Sequence, residues 1–218
     1  MITKIGSFVV YGLISGSFSV SSGAIDYPEN VGRTDSFYKN HFEITEPNLI
    51  SLTTFTEKRK FIVNVYRASE EDREAVYDFS DDTVIAFSTP FEINQPSNSN
   101  DTERVLLWGD FAEPNFTIRF LPGQYEVIVT ARYANKGDIS QYPEMISNVD
   151  IERVSEPGED LDFDRERAEW IENYDWVREE LKPTVWNFTF IPTEAEVEHQ
   201  IYRTLPPFRF PEPSELDW

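Results

Sequence analysis

Apolar and polar side chains alternate most regularly between residues 116 and 134. Two runs of period two, rich in β-branched and aromatic residues, lie on either side of Pro122-Gly123. Their shared apolar face consists of Phe116, Ile118, Phe120, Tyr125, Val127 and Val129. Short alternating runs separated by a Pro-Gly turn predict two antiparallel strands joined as a hairpin.

Similar runs predict strands elsewhere in the chain. Residues 49–56 and 61–66 flank a charged turn at 57–60, which predicts a second hairpin. Pro90 places a bulge or a sheet edge within another predicted strand. The remaining predicted strands are one or two within residues 5–24, then 83–93, 105–108 and a final strand at 185–192.

Residues 163–181 predict a helix. Trp170, Tyr174 and Val177 recur at helical spacing and share one face. Asp162 or Asp164 can cap its first turn, and Lys182-Pro183 ends it. After residue 205, four prolines predict an extended tail, whose aromatic residues we expect to pack on the domain or on a partner.

These elements predict a mainly β fold. Seven or more short strands and one helix favour an antiparallel β-sandwich with one C-terminal α-helix and a Pro-rich extended tail. We predict that residues 1–150 form the β-sandwich core. We predict that residues 151–218 contain the acidic helix, the final strand and the Pro-rich tail, packed on the same domain.

The composition adds a strong charge to this picture. Forty Asp and Glu residues face nineteen Lys and Arg residues, giving a formal net charge of −21. Such a protein repels free nucleic acid and anionic membranes, and it attracts cations and basic protein surfaces. The alternative is that the charge serves solubility alone. The chain has no cysteine, which excludes disulfides, thiolate metal sites and cysteine nucleophiles.

The N-terminal segment has two interpretations. Lys4 precedes an apolar run, and a cleavage site after Ala24 would complete the outline of a signal peptide. The run is interrupted by several glycines and serines, and its alternation favours a strand. We therefore predict a cytoplasmic protein, with a secreted protein as the alternative.

Catalytic and metal-binding patterns are poorly represented. The two histidines, His41 and His199, are far apart, and neither a nucleophile elbow nor a phosphate-binding loop is present. Asp160, Asp162 and Asp164 have the spacing of a calcium loop, but Arg165 occupies the position that requires glycine. We predict no catalytic residues, no cofactor and no metal site, while a hydrolase using two carboxylates stays open.

The most informative chemical signal is an acidic cluster around the predicted helix. Between Asp150 and Lys182 there are thirteen acidic residues and five basic ones. A row of carboxylates on a helix resembles the charge spacing of a phosphate backbone and suits a basic protein surface. The alternative is the solvated face of an amphipathic helix with internal ion pairs. The predicted partner-binding residues are Asp160, Asp162, Glu169, Glu172, Asp175, Trp176 and Glu179.

The order of the predicted strands resembles the competence protein J family over about residues 12–135. The series LISLTTFTEKRKFIVNVYRASEE, TVIAFSTPFEI and TIRFLPGQYEVIVTA carries the resemblance. Its specific points are Pro90-Phe91 and the L-P-G-x-Y turn from Leu121 to Tyr125. The resemblance implies a small acidic β-rich domain that inhibits a partner nuclease. The long C-terminal extension departs from the family.

Together these features predict binding rather than catalysis. We expect an inhibitor or immunity-type protein that blocks the basic cleft of a nuclease or other nucleic-acid-binding protein. Its partner would be a basic protein, not nucleic acid and not a membrane. The alternative is a secreted β-sandwich that binds carbohydrate or a cell-surface ligand.

Overall fold

The computed structural model describes the larger part of the 218-residue chain. The described residues are 1–11, 17–22, 42–46, 49–53, 60–93, 104–108, 114–152, 155, 161–177 and 182–203. The predicted Pro-rich tail, from residue 205, lies outside them.

The described residues form mainly β structure. Their strands are β1 (Thr3–Tyr11), β2 (Ser17–Ser22), β3 (Phe42–Glu46), β4 (Leu49–Thr53), β5 (Lys60–Arg67), β6 (Ile85–Ile93), β7 (Arg104–Trp108), β8 (Pro114–Arg119), β9 (Gly123–Tyr133), β10 (Thr184–Pro192) and β11 (Gln200–Arg203).

The strands form two sheets. The large sheet has the order β1-β5-β10-β9-β6-β11, and the small sheet has the order β3-β4-β2-β7-β8. β5 and β10 are parallel, whereas the other strand pairs are antiparallel. The predicted wholly antiparallel arrangement is therefore wrong. β10 lies between β5 and β9, so it is parallel to one neighbour and antiparallel to the other.

Both predicted hairpins are also wrong, although all four of their strands exist. β8 pairs with β7 in the small sheet, whereas β9 pairs with β6 and β10 in the large sheet. β4 and β5 likewise belong to different sheets. Alternation predicts a strand and its buried face. It does not predict whether the next strand pairs with it in the same sheet or lies in the facing sheet, because the face is buried in both cases.

One cluster of buried side chains contains residues from both sheets. Val20, Ile50 and Leu52 come from the small sheet, and Phe61 and Trp186 from the large sheet. The alternating apolar face predicted for β8 and β9 contributes to the same cluster. The buried Trp186 satisfies its only donor, because Nε1 donates a hydrogen bond to Thr184 Oγ1 at 3.0 Å.

Short helices pack on the other face of the large sheet. They are α1 (Arg73–Val76), α2 (Lys136–Gln141), α3 (Asn148–Glu152) and α4 (Phe163–Glu172), with 3₁₀ turns at Glu70–Asp72, Pro143–Met145 and Tyr174–Trp176. A single helix was predicted, and the additional helices correct that prediction. None of the helices in the described ranges is long and apolar enough to cross a membrane.

Two apolar clusters hold these helices to the sheet. Ile62 and Val185 pack with Ile139, Met145 and Tyr174 at the end of the sheet near α2–α4. Ala68, Ile128 and Ile191 form the second cluster with side chains from α1 and the residues after it. The strands of the large sheet are therefore apolar on both faces. One face packs on the small sheet in the main core, and the other packs on the helices.

A row of polar side chains crosses four neighbouring strands between the two clusters. Ser7 Oγ donates to Asn64 Oδ1 at 2.7 Å, and Asn64 Nδ2 donates to Asn187 Oδ1 at 2.9 Å. Asn187 Nδ2 in turn donates to Thr130 Oγ1 at 3.2 Å. Partly buried amides need such partners, and their mutual pairing favours one register of β1, β5, β10 and β9.

β10 occupies a central place that the sequence did not indicate. It was predicted as the final strand, yet it lies third in the large sheet and β11 follows it. Most of its residues are buried, as expected for a strand with neighbours on both sides. The division of the chain at residue 150 stays a prediction.

Candidate functional site

The acidic helix α4 begins where the sequence predicts. Asp162 is the N-cap residue, and its side chain accepts a hydrogen bond from the backbone N–H of Arg165 at 3.3 Å. Asp164 and Glu166 lie in the first turn. Carboxylates at this position are stabilised by the helix dipole, so these acids have a structural role in the helix start.

The helix ends earlier than predicted, at Glu172 rather than at residue 181. The Asn173 side chain donates to the Glu169 carbonyl at 3.0 Å, and Lys136 Nζ donates to the Glu172 carbonyl at 2.7 Å. Asparagine has a low helix propensity, and these bonds satisfy carbonyls that a further turn would use. Asp175 and Trp176 therefore lie in a 3₁₀ turn and not on the helix.

The apolar stripe of the segment packs as the spacing predicts. Tyr174 is buried, and Trp170, Ile171 and Val177 pack partly buried against the cluster that contains Val185. Burial raises the pKa of Tyr174. The stripe places the opposite face of the segment in solvent.

Five of the seven predicted partner-binding residues are described, and all five are exposed. They are Asp162, Glu169, Glu172, Asp175 and Trp176. Asp160 and Glu179 lie outside the described residues. Whether the five form a binding site stays a prediction.

The acidic residues of α4 and the following turn differ in their ion pairs. Those in the first two turns of the helix lie near arginines. Arg165 pairs with Glu166 at 2.6 Å and approaches Glu169 at 3.9 Å, and Arg167 pairs with Asp164 at 3.0 Å. The hydrogen bonds that Arg165 donates to the Glu166 carboxylate raise the pKa of Arg165. Exposed pairs of this kind each contribute little to stability, but they locally neutralise the first two turns of the helix.

The C-terminal end of the segment is different. Glu172 and Asp175 form no ion pair with any described residue. Trp176 follows directly with a fractional exposure of 88%. An exposed indole beside unpaired carboxylates offers both apolar area and negative charge to a partner.

A groove runs along one flank of α4. It has a volume of about 650 Å³, and Pro143, Ile146, Ala168 and Ile171 form its apolar wall. Arg167 lines it and donates to the Ile146 carbonyl at 3.1 Å. Sequence reasoning missed this groove, because its two walls come from segments about twenty residues apart and no local pattern marks their contact.

A second acidic segment, residues 69–82, packs on the large sheet through a buried carboxylate. The Tyr77 hydroxyl donates to Glu126 Oε1, and Arg73 pairs with the other oxygen of Glu126. Burial, with a hydrogen bond to Tyr202, raises the pKa of Tyr77 to about 12. The backbone N–H and the hydroxyl of Ser69 both donate to the carboxylate of Asp72 at the start of this segment. The burial of Glu126 was missed, because its place in the alternation is that of an outward-facing residue.

The geometry defines a mainly β protein with an acidic, partly unpaired surface at the end of α4. The structure is similar to the crystal structure of ComJ, inhibitor of the DNA degrading activity of NucA, from Bacillus subtilis. The similarity covers 88% of this chain and 99% of that chain, with 9% sequence identity and a TM-score of 0.49. ComJ is a protein of the family that the strand order resembles. No protein-family model matches the chain, and no curated protein matches its sequence.

Proposed function

We propose that this protein is an inhibitor-type binding module that acts in the cytoplasm without catalysing a reaction. In this proposal a β-sandwich presents α4 and the following turn to the basic cleft of a nuclease or other nucleic-acid-binding protein. The observation that carries the proposal is the position of Glu172 and Asp175, two exposed carboxylates without an ion pair among the described residues, beside the exposed Trp176.

Stability does not explain acidic residues at this position. The C-terminal end of a helix carries a partial negative charge, which does not stabilise Glu172 and Asp175, and Lys136 meets part of that charge at the Glu172 carbonyl. The acids in the first turn of α4, by contrast, are favoured by the dipole or paired with arginines. A basic partner surface would pair with Glu172 and Asp175 and gain affinity from them.

Trp176 is suited to anchor such a contact. Tryptophan is among the residues most often responsible for binding energy at protein interfaces. A lysine or arginine of the partner would meet the face of its ring and the two neighbouring carboxylates together. The overall charge of −21 would also speed the encounter with a basic protein at low salt.

The test combines binding with an activity measurement. The full-length protein is immobilised and exposed to lysate of its own host at low salt, and retained basic proteins are assayed for DNA degradation with and without added free protein. We expect a stoichiometric basic partner whose nucleolytic activity falls when the free protein is added and returns as salt rises.

Matched charge reversals locate the surface. Glu172→Lys with Asp175→Lys should abolish capture and inhibition, and Trp176→Ala should weaken both. Glu71→Lys with Glu74→Lys makes the same change of charge at two exposed positions, one in the 3₁₀ turn before α1 and one in α1, and should leave binding intact. Undiminished binding by the first variant would exclude this surface. An equal loss of binding in the control would show that net charge, and not this surface, determines binding.

A further inference from the structure

A small cleft lies at the end of the large sheet remote from α4. It is formed where β6 and β9 meet the segment that follows β10, and it has a volume of about 180 Å³. β10 spans the two sites, since Thr184 pairs with Tyr133 near the helices and Pro192 pairs with Tyr125 beside the cleft. β10 has nine residues, which at about 3.3 Å per residue separate the cleft from the end of the strand near the helices by about 26 Å.

The wall after β10 is held in place at both ends. The backbone N–H of Thr193 donates to the Gln124 carbonyl of β9 at 3.0 Å, and the N–H of Ala195 donates to Thr193 Oγ1 at 3.1 Å. Further along, His199 Nδ1 hydrogen bonds to the Ser88 carbonyl of β6 at 3.0 Å. These bonds hold the segment after β10 against β9 and β6.

The lining combines an apolar floor with negative charge. Phe91 and Tyr125 are buried beneath it, and Pro90 adds an apolar wall. Glu92 and Glu196 also line it; both are exposed, and neither forms an ion pair with a described residue. None of the described lining residues is basic.

We propose that this cleft receives one arginine or lysine side chain from an extended basic segment of a partner protein. Long basic side chains bury their methylene groups against apolar surface and keep the charged end near polar groups. Glu92 and Glu196 supply carboxylates for that charged end, and such hydrogen bonds are about twice as strong as neutral ones. The volume is below the roughly 300 Å³ at which sites for drug-sized molecules begin, so a side chain is the fitting occupant.

The proposal goes beyond the function proposed for the α4 surface, and the two can fail separately. The probe is N-acetyl-arginine amide, titrated into the full-length, ¹⁵N-labelled protein, with N-acetyl-citrulline amide as the neutral analogue of nearly the same shape. We expect saturable shifts of the amide signals of Glu92, Gln124 and Glu196 with the arginine compound and none with citrulline.

Paired variants test the two carboxylates. Glu92→Gln with Glu196→Gln should weaken arginine binding about tenfold, because both side chains keep an oxygen acceptor but lose their negative charge. Glu71→Gln with Glu74→Gln removes the same charge elsewhere and should retain the affinity. Equal shifts with citrulline, shifts spread evenly over acidic surfaces, or equal weakening in the control would overturn the proposal. The Glu172 and Asp175 variant should bind the arginine compound normally even where it no longer captures the partner, so the two proposals are tested separately.

Discussion

The Tyr125 hydroxyl donates a hydrogen bond to the carbonyl oxygen of Leu121 at 2.7 Å. Tyr125 is buried at the start of β9, whereas the Leu121 side chain is 67% exposed. Between them the chain passes from the small sheet to the large sheet. The bond therefore closes the L-P-G-x-Y turn. After this turn β9 enters the large sheet and does not pair with β8 as a hairpin.

We expect Tyr125→Phe to lower the free energy of unfolding by about 1 kcal/mol, the net value of one hydrogen bond. The ring would keep its packing against Phe120 and Phe190, at centroid distances of 5.9 and 6.1 Å. Thermal denaturation should show a fall in Tm of about 2–4 °C. Tyr66→Phe is the control, since this half-buried hydroxyl has no hydrogen bond to a described residue. Equal effects of both substitutions would contradict the assignment.

Gly123 supplies the backbone conformation of the same turn. Its φ is +150°, which residues with a Cβ rarely adopt. We expect Gly123→Ala to destabilise the protein by about 1–3 kcal/mol, although a Cβ would meet only ordinary contacts there. Urea denaturation measures the loss. Gln124→Ala, at the exposed neighbour, should be nearly neutral, and an equally stable glycine variant would show that the positive φ is not required.

Arg132 links α2 to the loop that precedes β6. Its Nη1 and Nη2 donate to the two carboxylate oxygens of Asp138 at 2.7 and 3.0 Å, while Nε lies 3.5 Å from the more exposed Asp82. We expect Asp138→Ala to cost about 2–3 kcal/mol, because the pair is bidentate and partly buried. Asp82→Ala removes the same charge at an exposed pair and should cost at most about 1 kcal/mol. Chemical denaturation measures the loss of stability in each variant. A larger loss for Asp82→Ala than for Asp138→Ala would contradict the prediction.

His199 should make stability depend on pH. Burial lowers its pKa below the ordinary value of 6.5, although the hydrogen bond to the Ser88 carbonyl opposes this. The unfolded chain therefore binds the proton more readily. The contribution of His199 is fully present above pH 6.5 and is lost as pH falls through the lowered pKa of the folded state.

Urea midpoints at about pH 7.5 and about pH 5.5 measure this dependence. We expect the difference between the two midpoints to shrink in His199→Gln. His41→Gln, which changes the other histidine of the chain, should retain the difference. Full retention in the His199 variant would assign the pH dependence to other groups.

The candidate site was predicted in part. The cap at Asp162 and the stripe of Trp170, Tyr174 and Val177 follow from residue type and from a period of 3.6, and both depend on neighbours within a few residues. The end of α4 depends on Asn173, which is a local signal, and also on Lys136, which lies in another helix. The groove beside α4 depends on two separate segments, so it has no local signal.

The sequence by itself determined most of the strands, their apolar faces and how negative the protein is, but it did not indicate β3 or β11. The alternation in β8 and β9 placed Phe116 and Tyr125 on buried or partly buried faces correctly. Only the tertiary structure decided that these strands belong to different sheets, that β10 lies beside β5, and that Glu126 is buried against Arg73. Alternation is a property of neighbouring residues. Strand pairing and carboxylate burial depend on contacts between residues far apart in the chain, which the local pattern does not specify.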